Sequence, residues 1–178
     1  GVRVGASPEW PRARVEAIGM RCINNVVDAT NCVMFELNQP MHAYDVSRLK
    51  GPAVVARRAR PGERLTTLDG ADRPLAGSMT VIADAESAIG VAGVMGGAHS
   101  EVTPETADLF LECAYFEPQG IRATRKQLGL GSEASYRFER GVDLWNGPEV
   151  LRRAVEIIQA TAGGSLDGDP VDLFPHVT

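Results

Sequence analysis

Four glycines, at positions 90, 93, 96 and 97, interrupt the apolar run Ile89 to His99, IGVAGVMGGAH, and they constrain the fold more than any other stretch. The aliphatic residues of this run belong in a core strand. Glycine weakens a strand, however, and a run with four of them marks a bend or a close approach of backbone to another group. The peptide groups of Gly93, Gly96 and Gly97 can then form a pocket wall against which an apolar or aromatic group lies. A phosphate cradle is the rival reading, but Gly93-Val94-Met95-Gly96-Gly97 has neither the Lys-Ser/Thr pair of a P-loop nor the spacing of a dinucleotide fingerprint. A strand, bulge and turn with no ligand is the plain structural alternative.

With 178 residues and 44% hydrophobic composition, the chain can bury one good core, so a single domain is expected over 1–178. It begins at Gly1 rather than Met and reads as a fragment of a longer protein. A net charge of −5 argues against a domain that wraps nucleic acid over a broad face. Arg122, Arg125 and Lys126, or Arg57, Arg58 and Arg60, are local basic patches or plain solvated faces. Cys22, Cys32 and Cys113 are far apart with no CxxC pair, which predicts reduced thiols, no disulfide and no metal site. No uninterrupted apolar stretch of about 18 residues and no signal-peptide pattern occurs, so a cytoplasmic protein with no membrane partner is expected.

The spacing predicts helices over Ser7–Ile18 with Ser7 as N-cap, Asn25–Leu37, Pro118–Leu128 ended by Gly129, and Pro148–Ala162 ended by Gly163-Gly164. Asn31 is expected on a largely buried face of the second helix, where its amide needs partners or a wet pocket. Gln39 to Asp45 reads as a proline turn carrying His42, one of three histidines. Strands are expected at Val54–Ala56, at Leu65–Leu68 before an Asp69-Gly70 hairpin turn, at Thr80–Ala83 and Ile89–Met95, at Leu109–Phe116 as a central strand, and at Ser132–Arg140. Short strands at this spacing suggest an antiparallel sheet or sandwich. Glu112 is the anomaly in the apolar stretch LFLECAYF: such a carboxylate either pairs with an arginine or faces a cavity where it has something to bind.

Taken together, NNVVDATNCVMFELNQPMHAYD, LTTLDG, AGVMGG with His99-Ser100, LFLECAYF and LGLGSEASYRFERGVD resemble the B3/B4 region of bacterial phenylalanyl-tRNA synthetase β subunits, in order and over essentially the whole chain. The resemblance implies an α+β fold, an antiparallel sandwich-like core with flanking helices in three layers. It also implies an editing domain that hydrolyses tyrosine from mischarged tRNA(Phe). The family's editing pocket maps onto Asn31, His42, Gly93, Glu112, Ser132 and Ala134, with Glu112 reading the tyrosine para-hydroxyl; His42, Asn31 and the backbone amides of the glycine wall are each able to hold the attacking water, and the sequence assigns no base among them. Ser132 departs from members with threonine, keeping the hydroxyl and losing a methyl. The implied partners are the acceptor end of tRNA(Phe), the synthetase α subunit, the rest of the β subunit and tyrosine as ligand. No cofactor is expected in this domain, and ATP and Mg2+ are expected for the whole enzyme.

Such a site has a physical logic. An apolar pocket for phenylalanine rejects an added hydroxyl by only roughly a hundredfold, whereas a site whose buried polar group demands a hydroxyl rejects the analogue lacking it by about ten-thousandfold or more. The largest hollow is therefore expected where His42, Gly93, Glu112 and Ala134 meet. Two other functions fit the same residues: a non-catalytic RNA- or subunit-docking module, marked by Glu112 pairing internally with Arg137 or Arg140, and a small-molecule hydrolase built on the same pocket.

Overall fold

Helix α2 (Asn25–Leu37) begins where Asn24, in extended backbone, accepts the Val26 and Val27 N–H groups on its side-chain oxygen. It ends at Asn38, the one non-glycine residue of positive φ among the described residues. The computed structural model describes residues 1–173. The apolar face of α2, with Val26, Ala29, Cys32 and Val33, packs on Val150, Ala154, Ile157 and Ile158 of α5 (Gly147–Ala162) and on Val15 of α1 (Glu9–Ala17). The amide that needs partners is Asn25 rather than Asn31. Asn25 is buried, accepts the Gly5 N–H and donates to the carbonyls of Arg3 and Thr161, so one side chain ties the N-terminal segment and α5 to α2. Nor does Ser7 cap α1: Pro8 stands at that position, and the Ser7 hydroxyl donates to the buried Asp28, which also takes the Ile23 N–H. Satisfying a buried carboxylate outweighs one cap bond.

The remaining elements are β1 (Met41–Asp45), β2 (Val55–Arg58), β3 (Arg64–Thr66), β4 (Asp72–Pro74), β5 (Thr80–Ala83), β6 (Ala88–Val91), β7 (Met95–Gly96), β8 (Leu109–Cys113), α3 (Pro118–Leu128) and α4 (Glu133–Phe138). All strand pairs are antiparallel: a four-stranded sheet in the order β2-β5-β6-β7, and the pairs β1-β8 and β3-β4. The class is α+β, helices with antiparallel sheets.

Four local expectations are corrected. Residues 41–45 are a strand, not a proline turn, because β8 supplies the ladder. The glycine stretch is a hairpin rather than one strand: Gly93, with φ of 65°, lies in the turn between β6 and β7, where a side chain is disfavoured. Residues 109–113 form a strand of a two-stranded pair and not a central one. Residues 132–140 contain a helix, since Ser132 and Ser135 exchange the reciprocal bonds of a capping box and the buried residues, Ser135 and Phe138, are spaced i, i+3.

One core lies among α1, α2 and α5, and a second joins the four-stranded sheet to Ile121 of α3 and Phe138 of α4. Tyr44 of β1 packs with Ile82 of β5, Ile89 of β6 and Ala92, and so joins the small β1-β8 pair to the large sheet. No helix among the described residues is long and apolar enough to cross a membrane.

Candidate functional site

The antiparallel register of β1 and β8 sets Met41 opposite Cys113, His42 opposite Glu112 and Tyr44 opposite Phe110. Side chains two apart on a strand share a face, so His42 and Tyr44 stand side by side. Their rings meet edge to face, 4.5 Å between centroids. The Tyr44 hydroxyl donates to Glu112 Oε2 at 2.6 Å, within the range of a charge-assisted O–H···O bond. Three polar side chains are thus gathered by one strand pairing.

The hairpin lies against them with its glycines. Gly90 and Gly96 are partners in the β6-β7 ladder. A Cβ on Gly96 would stand 2.5 Å from His42 Cε1, and one on Gly90 3.5 Å from the Tyr44 hydroxyl. Backbone therefore takes the place that side chains would fill. Together these segments enclose a cavity of about 70 Å³, completed by Pro40, Ile82, and Ala134 and Phe138 of α4. One water needs roughly 10–15 Å³, so the space holds several waters or a comparable group.

Of the residues singled out from sequence, His42, Gly93, Glu112 and Ala134 come together on this lining, each from a different element or turn. Ser132 does not line it. Its hydroxyl donates to the Val94 carbonyl at 2.7 Å and accepts the Ser135 N–H, which pins the start of α4, and with it Ala134, to the glycine hairpin. Asn31 sits half-buried on α2 and is outside the lining. Tyr44 was missed from sequence; the i, i+2 spacing from His42 would have found it had 41–45 been read as a strand. This cavity is not the largest. A hollow of about 390 Å³ lies among α1, α2 and α5, lined by Arg14, Ile18, Cys32, Phe35, Glu36 and Arg153.

Burial governs the electrostatics. It lowers His42 to a pKa of about 4, so the imidazole is neutral at physiological pH, and its buried Nε2 has no hydrogen-bond partner among the described residues. An unpartnered buried ring nitrogen is a place for a water or a ligand atom. Burial raises Glu112, and the Tyr44 hydrogen bond pulls it back down. Burial likewise raises Tyr44, with Glu112 adding to the effect, and pushes Cys113 up to about 11. Neither arginine reaches Glu112: Arg137 pairs with Glu133 at 2.6 Å and Arg140 with Glu139 at 2.8 Å. Among the described residues, no group of three or more His, Cys, Asp or Glu could hold a metal ion. The site is thus an apolar slot with one carboxyl, one neutral imidazole and a wall of peptide groups.

The sequence model of the B3/4 domain family matches residues 1–163. Curated proteins similar to this chain include the phenylalanine-tRNA ligase β subunit of Moorella thermoacetica, 50% identical over 174 residues, which are 98% of this chain and 22% of that protein. The β subunit of Geobacter metallireducens is 48% identical over 99% of this chain and 22% of its own length. That of Fusobacterium nucleatum is 46% identical over 97% of this chain, again 22% of its own. The chain therefore spans less than a quarter of these relatives.

Proposed function

Since the chain belongs to the B3/4 domain family, we propose that it is a single editing domain, part of a longer phenylalanine-tRNA ligase β chain, that hydrolyses tyrosine from mischarged tRNA(Phe). The observation that carries this reading is a lone carboxyl, Glu112, set in an otherwise apolar, glycine-walled cavity with no arginine on it. A tyrosyl ring lies along the backbone of Gly90, Gly93 and Gly96 and donates its para-hydroxyl to Glu112 Oε1. A phenylalanyl ring makes the same apolar contacts and leaves Oε1 without a donor, so tyrosine is favoured by the large factor that hydroxyl-demanding sites achieve.

The ester bond between amino acid and ribose is already activated, so hydrolysis needs an oriented water and charge stabilisation more than a strong nucleophile. His42 Nε2 holds that water. The water oxygen bonds to the ester carbonyl carbon, the carbon–oxygen bond to the ribose breaks, and the proton released by the water ends on the departing ribose hydroxyl. An imidazole that titrates near 4 is a weak base, so His42 orients more than it deprotonates. The acceptor end of tRNA(Phe) is the macromolecular ligand. The rest of the β subunit and the α subunit carry the aminoacylation chemistry with ATP and Mg2+.

Deacylation of tyrosyl-tRNA(Phe) by the full-length ligase carrying Glu112→Gln tests this. The Gln carbonyl can still accept from Tyr44 while its NH2 replaces Oε1. Tyrosyl hydrolysis is expected to fall by about tenfold or more, with phenylalanine activation unchanged. An unaltered rate in a normally folded protein would sink the reading.

A further inference from the structure

Glu112 holds one phenol before any ligand arrives. The Tyr44 ring is 1% exposed, sits edge-on to His42 at 4.5 Å and 6.0 Å from Phe110, and packs on Ile82, Ile89 and Ala92. A ring so enclosed cannot swing aside, and its hydroxyl stays on Glu112 Oε2 at 2.6 Å. Among the described residues nothing donates to Oε1. The carboxyl is therefore fixed in orientation, with one oxygen filled and the other open.

We propose that Tyr44 is a positioning residue for hydroxyl recognition: by occupying Oε2 it aims Oε1 at the para-hydroxyl of the bound amino acid. This rests on the editing reading above. A carboxylate without Tyr44 has two equivalent oxygens and a free torsion, and an aromatic hydroxyl gains less from it because the acceptor must first be ordered. The hydrogen bond also opposes the effect of burial on Glu112, favouring the ionised form that accepts from a ligand. The titratable groups facing Glu112 are few. β1 supplies His42 and Tyr44, while Cys113, next along β8, turns to the opposite face and the helix core; the hairpin and α4 bring glycines and apolar side chains, and Arg137 and Arg140 are paired elsewhere.

Tyr44→Phe in the full-length ligase removes one oxygen and keeps the ring. Rates are measured for tyrosyl- and phenylalanyl-tRNA(Phe), from acid to neutral pH, beside Glu112→Gln. Tyrosyl hydrolysis is expected to fall about tenfold with phenylalanyl hydrolysis not reduced, and the acid limb of the tyrosyl profile moves to higher pH, which a merely structural loss would not do. Replacing Tyr44 with 3-fluorotyrosine, a stronger donor of nearly the same size, should move that limb to lower pH, and it decides the matter if Tyr44→Phe does not fold. If Glu112→Gln abolishes tyrosine preference while both Tyr44 replacements leave the ratio and the acid limb unchanged, the positioning role is wrong and the editing reading stands. If Glu112→Gln is itself without effect, both fall.

Discussion

His42 and Glu112 face each other across the β1-β8 pair, each directly opposite the other. Because side chains alternate along a strand, a slip of one residue in this register would turn one of them away from the cavity. Ala43 and Leu111, the next pair along, belong to the α1-α2-α5 core, so burial on that side fixes the register that the polar side uses. Packing among helices thereby sets the geometry of a site formed with the large sheet.

Glu112→Ala tests how much of this cluster is mutual support. It leaves the buried Tyr44 hydroxyl without an acceptor, a loss of about 1–3 kcal/mol. Removing a buried carboxyl that nothing else pairs would have been neutral or stabilising. The bond to Tyr44 reverses that expectation. Urea midpoints should order wild type above Glu112→Ala, with Glu112→Gln nearer wild type because its carbonyl still accepts.

Gly93→Ala and Gly96→Ala should separate stability from activity. At Gly93 the added carbon must adopt φ of 65° and would lie 2.8 Å from Ile121, 2.9 Å from Phe116 and 3.0 Å from Phe138, so overpacking and backbone strain of about 2–4 kcal/mol together are expected. At Gly96 the backbone is not left-handed and the added carbon meets the His42 ring. Gly96→Ala should therefore lose less stability, about 1–2 kcal/mol, and more deacylation. Comparing chemical unfolding with tyrosyl-tRNA(Phe) hydrolysis for both variants checks the ordering; equal losses on both measures would contradict it.

Asn25→Ala removes one acceptor and two donor interactions from a buried amide. Each net hydrogen bond contributes about 0.5–1.5 kcal/mol and the orphaned backbone groups add to this, so a loss of about 2–4 kcal/mol is expected. Asn31→Ala, at a half-buried position whose side chain has no hydrogen bond among the described residues, should change stability by less than about 1 kcal/mol. Thermal or urea unfolding of the pair separates them.

How much of this was legible in the sequence depended on how local the signal was. Glu117 and Pro118 opening α3 and Gly129 closing it are signals within one turn of the helix, and they read correctly. β1 has a partner that lies 68 residues away, as the Tyr44–Glu112 spacing shows, and a stretch containing His42 and Asp45 carries no apolar alternation of its own. In α4, Ala134, Tyr136 and Phe138 alternate as in a strand, and the competing signal, Ser132 and Ser135 in a capping box, is weaker than the usual Ser-x-x-Glu form. Glu112 was legible as an anomaly because a carboxyl in an apolar strand needs a reason. Tyr44 was not, since its role exists only once the register of two distant strands is known.

The pH dependence of stability offers a last check, on His42 itself. An unfolded chain takes up a proton on histidine near 6.5, and the folded chain refuses it until about 4. Between those values the unfolded state binds more protons, so stability rises with pH there and is lost as pH falls from about 6.5 towards 4. The full difference corresponds to at most about 3 kcal/mol, less whatever solvent reaches the half-buried ring. Glu112 acts in the opposite sense: its carboxyl titrates higher when folded, so protonation favours the folded state as pH falls. Wild type alone reports both together with carboxylates that the fold holds low, such as Glu63 beside Arg57. Subtracting the urea-unfolding curve of His42→Asn removes these carboxyl contributions, and the variant should lose less stability than wild type on acidification, by up to about 2–3 kcal/mol near pH 4. Parallel stability curves for the two proteins across this range would show that His42 protonates freely in the folded state, and with it the buried, unpartnered Nε2 assigned to hold the water would be lost.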